Sequence, residues 1–354
     1  MIITLTGNLL AERTFEFSSW AAGKTQRAAS ESFQVGGKGV NVSRMLERLG
    51  ESTVALCFAG GTSGEECLRW LEEHRVGYRA FRNGAATRTG LVVRTVGEMG
   101  EMGEMGDMGG MGDMGGAGGA GVMGGAGAVG VAGRETTFLG PDVAPEAAAM
   151  AACANWLDAE AAGHALAFCG SFPGWESPAA APLREAIERR IARGGGGGGG
   201  RGGGGVYVDT YGAPLAWFVE REVALVKINR SEFDRLAREV GGGDFALASA
   251  LAVDNSMDAR LGAARRRWPG VREWIVTDGP REVWFAGAEA GVAPASRLPP
   301  AVREVSATGA GDVLFACVLH GIVGRHLTLA EAVAAALPFA SAKAAGSSLL
   351  AQFA

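Results

Sequence analysis

Residues 306–321 read SATGAGDVLFACVLHG, in which Gly309, Ala310 and Gly311 run into a single acid, Asp312, where an apolar helix begins. An acid suits the first turn of any helix, because unpaired N–H groups and the dipole favour negative charge there. The small residues add a second reading: bare backbone N–H groups that an external anion can reach, on a helix terminus that would hold it. A carboxylate beside such an anion cradle suits a phosphoryl-transfer site. Upstream, VGGKGVNVSRMLERLG at 35–50 sets Gly36, Gly37, Lys38 and Asn41 ahead of a helix whose Val42, Met45, Leu46 and Leu49 share one face. A plain glycine-rich helix start explains the same residues without chemistry. KINRSEF supplies Asn229 and Glu232 directly after a strand. That spacing fits either a carboxylate holding hydrated Mg²⁺ near phosphates or a helix start with an N-cap.

The commoner nucleotide signatures fail. AAGKT at 21–25 ends like a phosphate-binding loop, but Ser18 stands where the earlier glycine is required. The dinucleotide pattern after Gly309 fails at Leu314, and His74, His164, His320 and His326 form no metal-binding helix motif, so they read as surface or packing residues.

The elements that must position these groups alternate. MIITLTG, STVALCFAG, HALAFCGS, VYVDTYG, VALVKIN and WIVTDG are β-rich and separated by helix-like stretches at 42–49, 64–73 and 182–192. This order predicts an α/β fold: a mostly parallel central sheet covered on both faces, with ligands outside the carboxyl ends of its strands. ERTFEFSSW, SESFQV, TGLVVRTV and RETTFLG instead alternate apolar and polar residues, predicting a small secondary β-sheet from about 9–35 and 88–140. Two tracts interrupt the pattern: a Gly/Met stretch at 97–133, expected at a hairpin tip of that sheet, and a poly-Gly loop at 194–205. Repeated thioethers suit a soft metal such as Cu(I), but so much glycine and so little periodic apolar surface read as a passive insertion.

Bulk properties narrow the class. With 354 residues and 47% hydrophobic content the chain can bury a large core, read here as a single domain over 1–354. A net charge of −5 without a basic stripe argues against nucleic acid as a partner. No charged leader and no run of about 18 apolar residues is present, so the chain reads as cytoplasmic, without a membrane partner. Five scattered cysteines, Cys57, Cys67, Cys153, Cys169 and Cys317, indicate neither a disulfide framework nor a zinc site.

The order of these motifs makes them specific. GGKGVNVSRMLERLG resembles the N-terminal signature, and SATGAGD the C-terminal signature, of the ribokinase-like PfkB carbohydrate kinases, with TRTG, GSFPG and KINRSEF in the expected order between them. The likeness is strongest to the sugar-phosphate branch of 1-phosphofructokinase and tagatose-6-phosphate kinase. It implies a three-layer α/β/α sandwich with a small β-sheet lid, and ATP and Mg²⁺ as cosubstrate and cofactor. Asp312 would be the base and Gly309, Ala310 and Gly311 the anion hole, while Asn229, Glu232, Thr277 and Gly279 would serve the nucleotide and metal. Gly36, Gly37, Lys38 and Asn41 would line the sugar pocket, with Arg88 and Lys24 meeting a substrate phosphate. A homodimer through the lid is also implied. The chain departs from the family at Glu12, which replaces a sugar-binding aspartate, and at Asp278 and Glu282, which add charge near a polyphosphate; Ser306 stands where many members carry aspartate. A kinase of an unphosphorylated sugar or nucleoside, or a catalytically silent sugar or nucleotide binder, therefore stays open.

Overall fold

The computed structural model describes residues 1–95, 135–195, 204–240, 256–287 and 292–346, so the tract at 97–133 and most of that at 194–205 lie outside the described residues. Runs of β-branched and other apolar residues form the strands, and amphipathic runs between them form helices. In chain order these are β1 (Ile2–Thr6), β2 (Leu10–Phe17), β3 (Ser30–Gly36), α1 (Lys38–Arg48), β4 (Thr53–Ala59), α2 (Gly61–Glu73), β5 (Tyr78–Arg82), β6 (Arg88–Thr95) and β7 (Glu135–Leu139). They continue with α3 (Ala147–Glu160), β8 (Ala165–Cys169), α4 (Ala181–Gly195), β9 (Val206–Asp209), α5 (Ala213–Val219), β10 (Val223–Asn229), α6 (Arg230–Val240) and α7 (Met257–Arg267). The last are β11 (Val271–Thr277), β12 (Val283–Ala286), β13 (Ala295–Arg297), α8 (Ala310–Leu319) and α9 (Leu329–Ala344).

The large sheet has nine strands in the order β13-β12-β11-β10-β9-β8-β1-β4-β5. From β11 to β5 every pairing is parallel, while β12 and β13 close one edge antiparallel. Strand β1 is buried at every position, as expected of a parallel strand covered on both faces. Apolar residues on one face of the sheet pack against α3 to α7, with Leu157, Ile187, Phe218, Phe233 and Leu261 among the buried side chains. The other face packs against α1, α8 and α9 through Leu46, Phe315 and Val333, and against α2 through Cys67 and Leu71. The result is three layers whose loops at the carboxyl ends of β1, β8, β9, β10 and β11 open on one edge.

The alternating segments form a separate four-stranded sheet in the order β3-β2-β6-β7. Its period-2 pattern divides the two faces: Arg13 on β2 reaches Glu66 of α2, whereas Leu10, Glu12 and Thr14 turn the other way, toward a cavity. Strands β6 and β7 are antiparallel neighbours, pairing Arg94 with Glu135. All five cysteines are buried and free. Among the described residues no helix is long and apolar enough to cross a membrane.

Candidate active site

Helix α8 begins behind Gly309, which holds a left-handed φ of 80°, a conformation that strains any residue with a Cβ. Asp312 lies in the first turn, only 7% exposed, and its Oδ2 accepts a 2.8 Å hydrogen bond from Asn41 Nδ2 on α1. Asn41 reaches it because α1 starts tight against β1. A Cβ at its cap, Gly37, would stand 2.7 Å from Thr6 Cγ2, and the φ of 128° there is open to glycine. Burial first, then the charge of Asp209, pushes the Asp312 carboxyl up to about 6 despite the opposing Lys38, Asn41 and Lys227.

Beneath this turn runs a chain of alternating charges. Asp209, at the end of β9 and fully buried, accepts 2.8 Å hydrogen bonds from both Lys38 Nζ and Lys227 Nζ. Lys38 Nζ also lies 3.9 Å from Glu232 Oε1. Burial opposes the charges on Asp209 and Lys38. The two lysines nevertheless hold Asp209 below the ordinary carboxylate range, and Asp209 with Glu232 holds Lys38 above the ordinary amine range. A Cβ at Gly311 would meet Lys227 Nζ at 3.0 Å, so this ammonium sits directly under the three small residues. Asp209 and Lys227 were not singled out from the sequence. The available signal was a single charge at or near the carboxyl end of otherwise apolar strands, VYVD and VALVKIN.

At the ends of β10 and β11, Asn229 pairs in register with Thr277, and Gly279 follows with φ 59°. Asn229 and Glu232 cap α6 reciprocally: Asn229 N donates to Glu232 Oε2 at 2.8 Å and Glu232 N to Asn229 Oδ1 at 2.9 Å. The helix-start reading of this spacing is thus realised, and Glu232 Oε1 remains turned toward Lys38. Among the described residues no cluster of three His, Cys, Asp or Glu could cage a metal ion. One carboxylate oxygen does fit Mg²⁺, which keeps several waters and takes the rest of its shell from phosphates. The charge added at Asp278 is largely offset, because its Oδ2 lies 3.2 Å from Arg230 and 3.6 Å from Arg281.

Two cavities meet at Gly37 and Asn41. The smaller, about 170 Å³, is lined by Thr6, Asn8, Lys38, Arg88 and Asp312 among others. Arg88 Nη1 binds Asp142 Oδ1 at 2.7 Å, an oxygen that Asn8 Nδ2 also reaches at 2.8 Å, while the buried Arg88 Nε has no partner. The larger cavity, about 360 Å³, lies between the small sheet and α1 and takes in Gly36, Gly309 and Glu12. Glu12, 7% exposed, accepts a hydrogen bond from Gln34 on the neighbouring strand. Lys24 stands exposed on the loop between β2 and β3 and lines neither of these two cavities.

The pattern described as pfkB family carbohydrate kinase matches residues 7–109 and 206–350. A tagatose-6-phosphate kinase of Staphylococcus epidermidis is 30% identical over 93 residues, covering 26% of this chain and 30% of that protein. A 1-phosphofructokinase of Bacillus subtilis is 34% identical over 76 residues, 22% of this chain and 25% of the other. The alignments thus span less than a third of either relative. The crystal structure of phosphofructokinase-2 from Escherichia coli in complex with fructose-6-phosphate superposes with a TM-score of 0.71 at 19% identity, covering 99% of this chain and 96% of that one. The ribokinase-like α/β/α architecture read from the sequence is therefore the fold of this chain.

Proposed function

The chain belongs to the pfkB family of carbohydrate kinases, and from that premise we propose that it transfers the γ-phosphoryl group of ATP to a hydroxyl of a ketose phosphate such as fructose 1-phosphate, fructose 6-phosphate or tagatose 6-phosphate. The observation that carries this reading is Asp312: a nearly buried carboxylate raised to about 6, fixed by Asn41 and set in the first turn behind Gly309. Near neutral pH such a group is ionised yet more basic than an ordinary aspartate, which suits a general base. Asp312 takes the hydroxyl proton as that oxygen bonds to the γ-phosphorus and the bond to the ADP oxygen breaks. The N–H groups of Gly309 and Gly311, with Lys227 beneath them, hold the charge on the transferring group, whereas that of Ala310, also expected to do so, already donates to Ala307 O at 3.1 Å. Mg²⁺, when bound, neutralises charge on the ATP phosphates. Glu232 Oε1 would hold it through water, while Asn229, Thr277 and Gly279 border the nucleotide. Lys38 and Asn41 orient the sugar, Arg88 meets its phosphate, and the small sheet closes over it as a lid that excludes water.

A second reading rests on one observation. Arg88 carries Asp142 as a counter-ion, which lowers its appetite for a phosphate and suits an unphosphorylated sugar whose hydroxyls bind Asp142 or Glu12. Measuring ADP release over a panel of sugars and sugar phosphates decides. A ketose phosphate is expected to be the best acceptor; a free sugar or nucleoside as best acceptor replaces the reading with the second, and no turnover on any acceptor makes the chain a silent binder.

A further inference from the structure

At the opposite edge of the large sheet from Asp312, where β8 starts at Ala165 and β9 at Val206, the last turns of α3 and α4 border a cavity of about 150 Å³. Its lining includes Asp158 of α3, Ala186, Arg190 and Arg193 of α4, and Gly163 and Gly204 from the loops that follow them. None of these residues enters the proposed reaction. Arg190 is only 8% exposed, and its Nη1 donates to Ala161 O at the end of α3 at 2.6 Å. Its Nε and Nη2 are buried and have no hydrogen-bond partner. Capping α3 thus explains one nitrogen and leaves two. Those two carry the parallel N–H bonds along one edge of the guanidinium, the fork that takes two oxygens of a single anion. Arg193, three residues on, shares this helix face and is exposed. Among the described residues no carboxylate lies within ion-pair distance of either arginine. Asp158 is held at both oxygens by Arg189, at 2.7 and 3.3 Å. Burial, then the charge of Arg193, pushes the Arg190 guanidinium down to about 10. A buried, unpaired cation beside a second cation is unfavourable until an anion joins them.

We infer that this cavity is a site for a phosphate dianion, as the free ion or as the phosphate end of a small ester, remote from the site of phosphoryl transfer. The Arg190 fork takes two of its oxygens and Arg193 a third. Two cations without a counter-ion match a dianion better than a carboxylate, whose single charge leaves one arginine unmatched. The cavity is several times the ~30 Å³ that a water takes up in the liquid, so it has room for a phosphate. Ala162 and Gly163 are exposed at its rim, which gives the ion a way in from solvent. An occupant joins the end of α3 to the end of α4.

The test reads where an ion binds and not turnover, so it stands or falls apart from the kinase assignment. Inorganic phosphate, glycerol phosphate and acetate are each titrated into the full-length chain without nucleotide or sugar, and amide hydrogen exchange is followed by mass spectrometry. Phosphate is expected to slow exchange in peptides covering 157–164 and 186–194, in the wild type and equally in Arg88→Ala. Arg193 is exposed, so Arg193→Gln keeps the fold and should need about tenfold more phosphate for half the effect. Arg190→Met, which removes the fork, should need about 10²-fold more. If that variant fails to fold, Arg193→Gln carries the test alone. A stronger response to glycerol phosphate names an ester as the occupant, and a stronger response to inorganic phosphate names the free ion. No slowing in these peptides, slowing confined to those around Gly37 and Asp312, an equal response to acetate, or an unchanged response in Arg193→Gln overturns the proposal.

Discussion

Asp312→Asn separates two consequences of burying a carboxylate at the start of α8. Burial and then Asp209 raise this group from an ordinary 3.8 to about 6. A rise of that size places about 3 kcal/mol on the charged form in the folded protein. Because the folded value lies above the unfolded one, the penalty is complete above about pH 6 and shrinks as the pH falls from there toward about 4. It vanishes once both states are protonated. Asparagine keeps an oxygen to accept from Asn41 and carries no charge. The variant should therefore gain up to about 3 kcal/mol near pH 7.5, worth about 4 °C in Tm for a chain of this size, and about half of that near pH 5. Turnover should fall by roughly 10²- to 10⁴-fold, with nucleotide binding largely kept. Calorimetric melting at both pH values, with a coupled ADP-release assay, measures all three quantities. A variant no more stable than the wild type near pH 7.5, or a gap independent of pH, refutes the electrostatic argument; near wild-type turnover refutes the role as base.

Arg88→Ala should lower kcat/KM for a phosphorylated ketose by about 10²-fold, in line with roughly 2–3 kcal/mol for a charge-assisted contact, and leave nucleotide affinity unchanged; steady-state kinetics with and without the acceptor phosphate checks both. Glu232→Gln can still cap α6 through its amide oxygen, so its Tm should hold while the Mg²⁺ concentration for half-maximal rate rises. An unchanged Mg²⁺ dependence would limit Glu232 to the helix start. Replacing residues 98–132 by Asn-Gly should leave Tm and activity near those of the parent, since β6 and β7 are already antiparallel neighbours. Loss of soluble protein would show that the tract supports the fold.

The α/β layering was legible because the central parallel strands β1, β4 and β8 are mainly apolar runs, and the small sheet because its strands alternate. Clustering of Gly37, Lys38, Asn41 and Asp312 was legible too, as glycine-rich turns after strands mark the end of the sheet where ligands gather. Charges sunk in strands were not. Asp209 and Lys227 sit 18 positions apart, and only the neighbouring of β9 and β10 turns two isolated charges into an ion pair. Asp142 lies 54 positions from Arg88 and 134 from Asn8, so nothing local announces that it bridges them. Lys343, in an Ala-rich helix, looks like a solvated cation until α9 is laid against the start of α8, where its Cε comes 3.4 Å from a Cβ built on Gly309. Asp278 misleads in the opposite direction, since its neutralising arginine, Arg230, comes from another strand end.

The clamp between β6 and β7 bears on how this sequence changes over generations. The chain leaves the small sheet after Thr95 and returns at Glu135, and at that gate Arg94 grips Glu135, which in turn holds Thr308 two residues before Ala310. The geometry leading into α8 is thereby fixed by residues on the near side of the gate, whatever the length of chain beyond it. Closing a longer loop costs little, about 0.6 kcal/mol for each doubling. Short tandem repeats of the G-E-M kind lengthen readily when the gene is copied. By that measure growth of the tract adds little to the cost of folding, and the clamp keeps Asp312 and its neighbours in place.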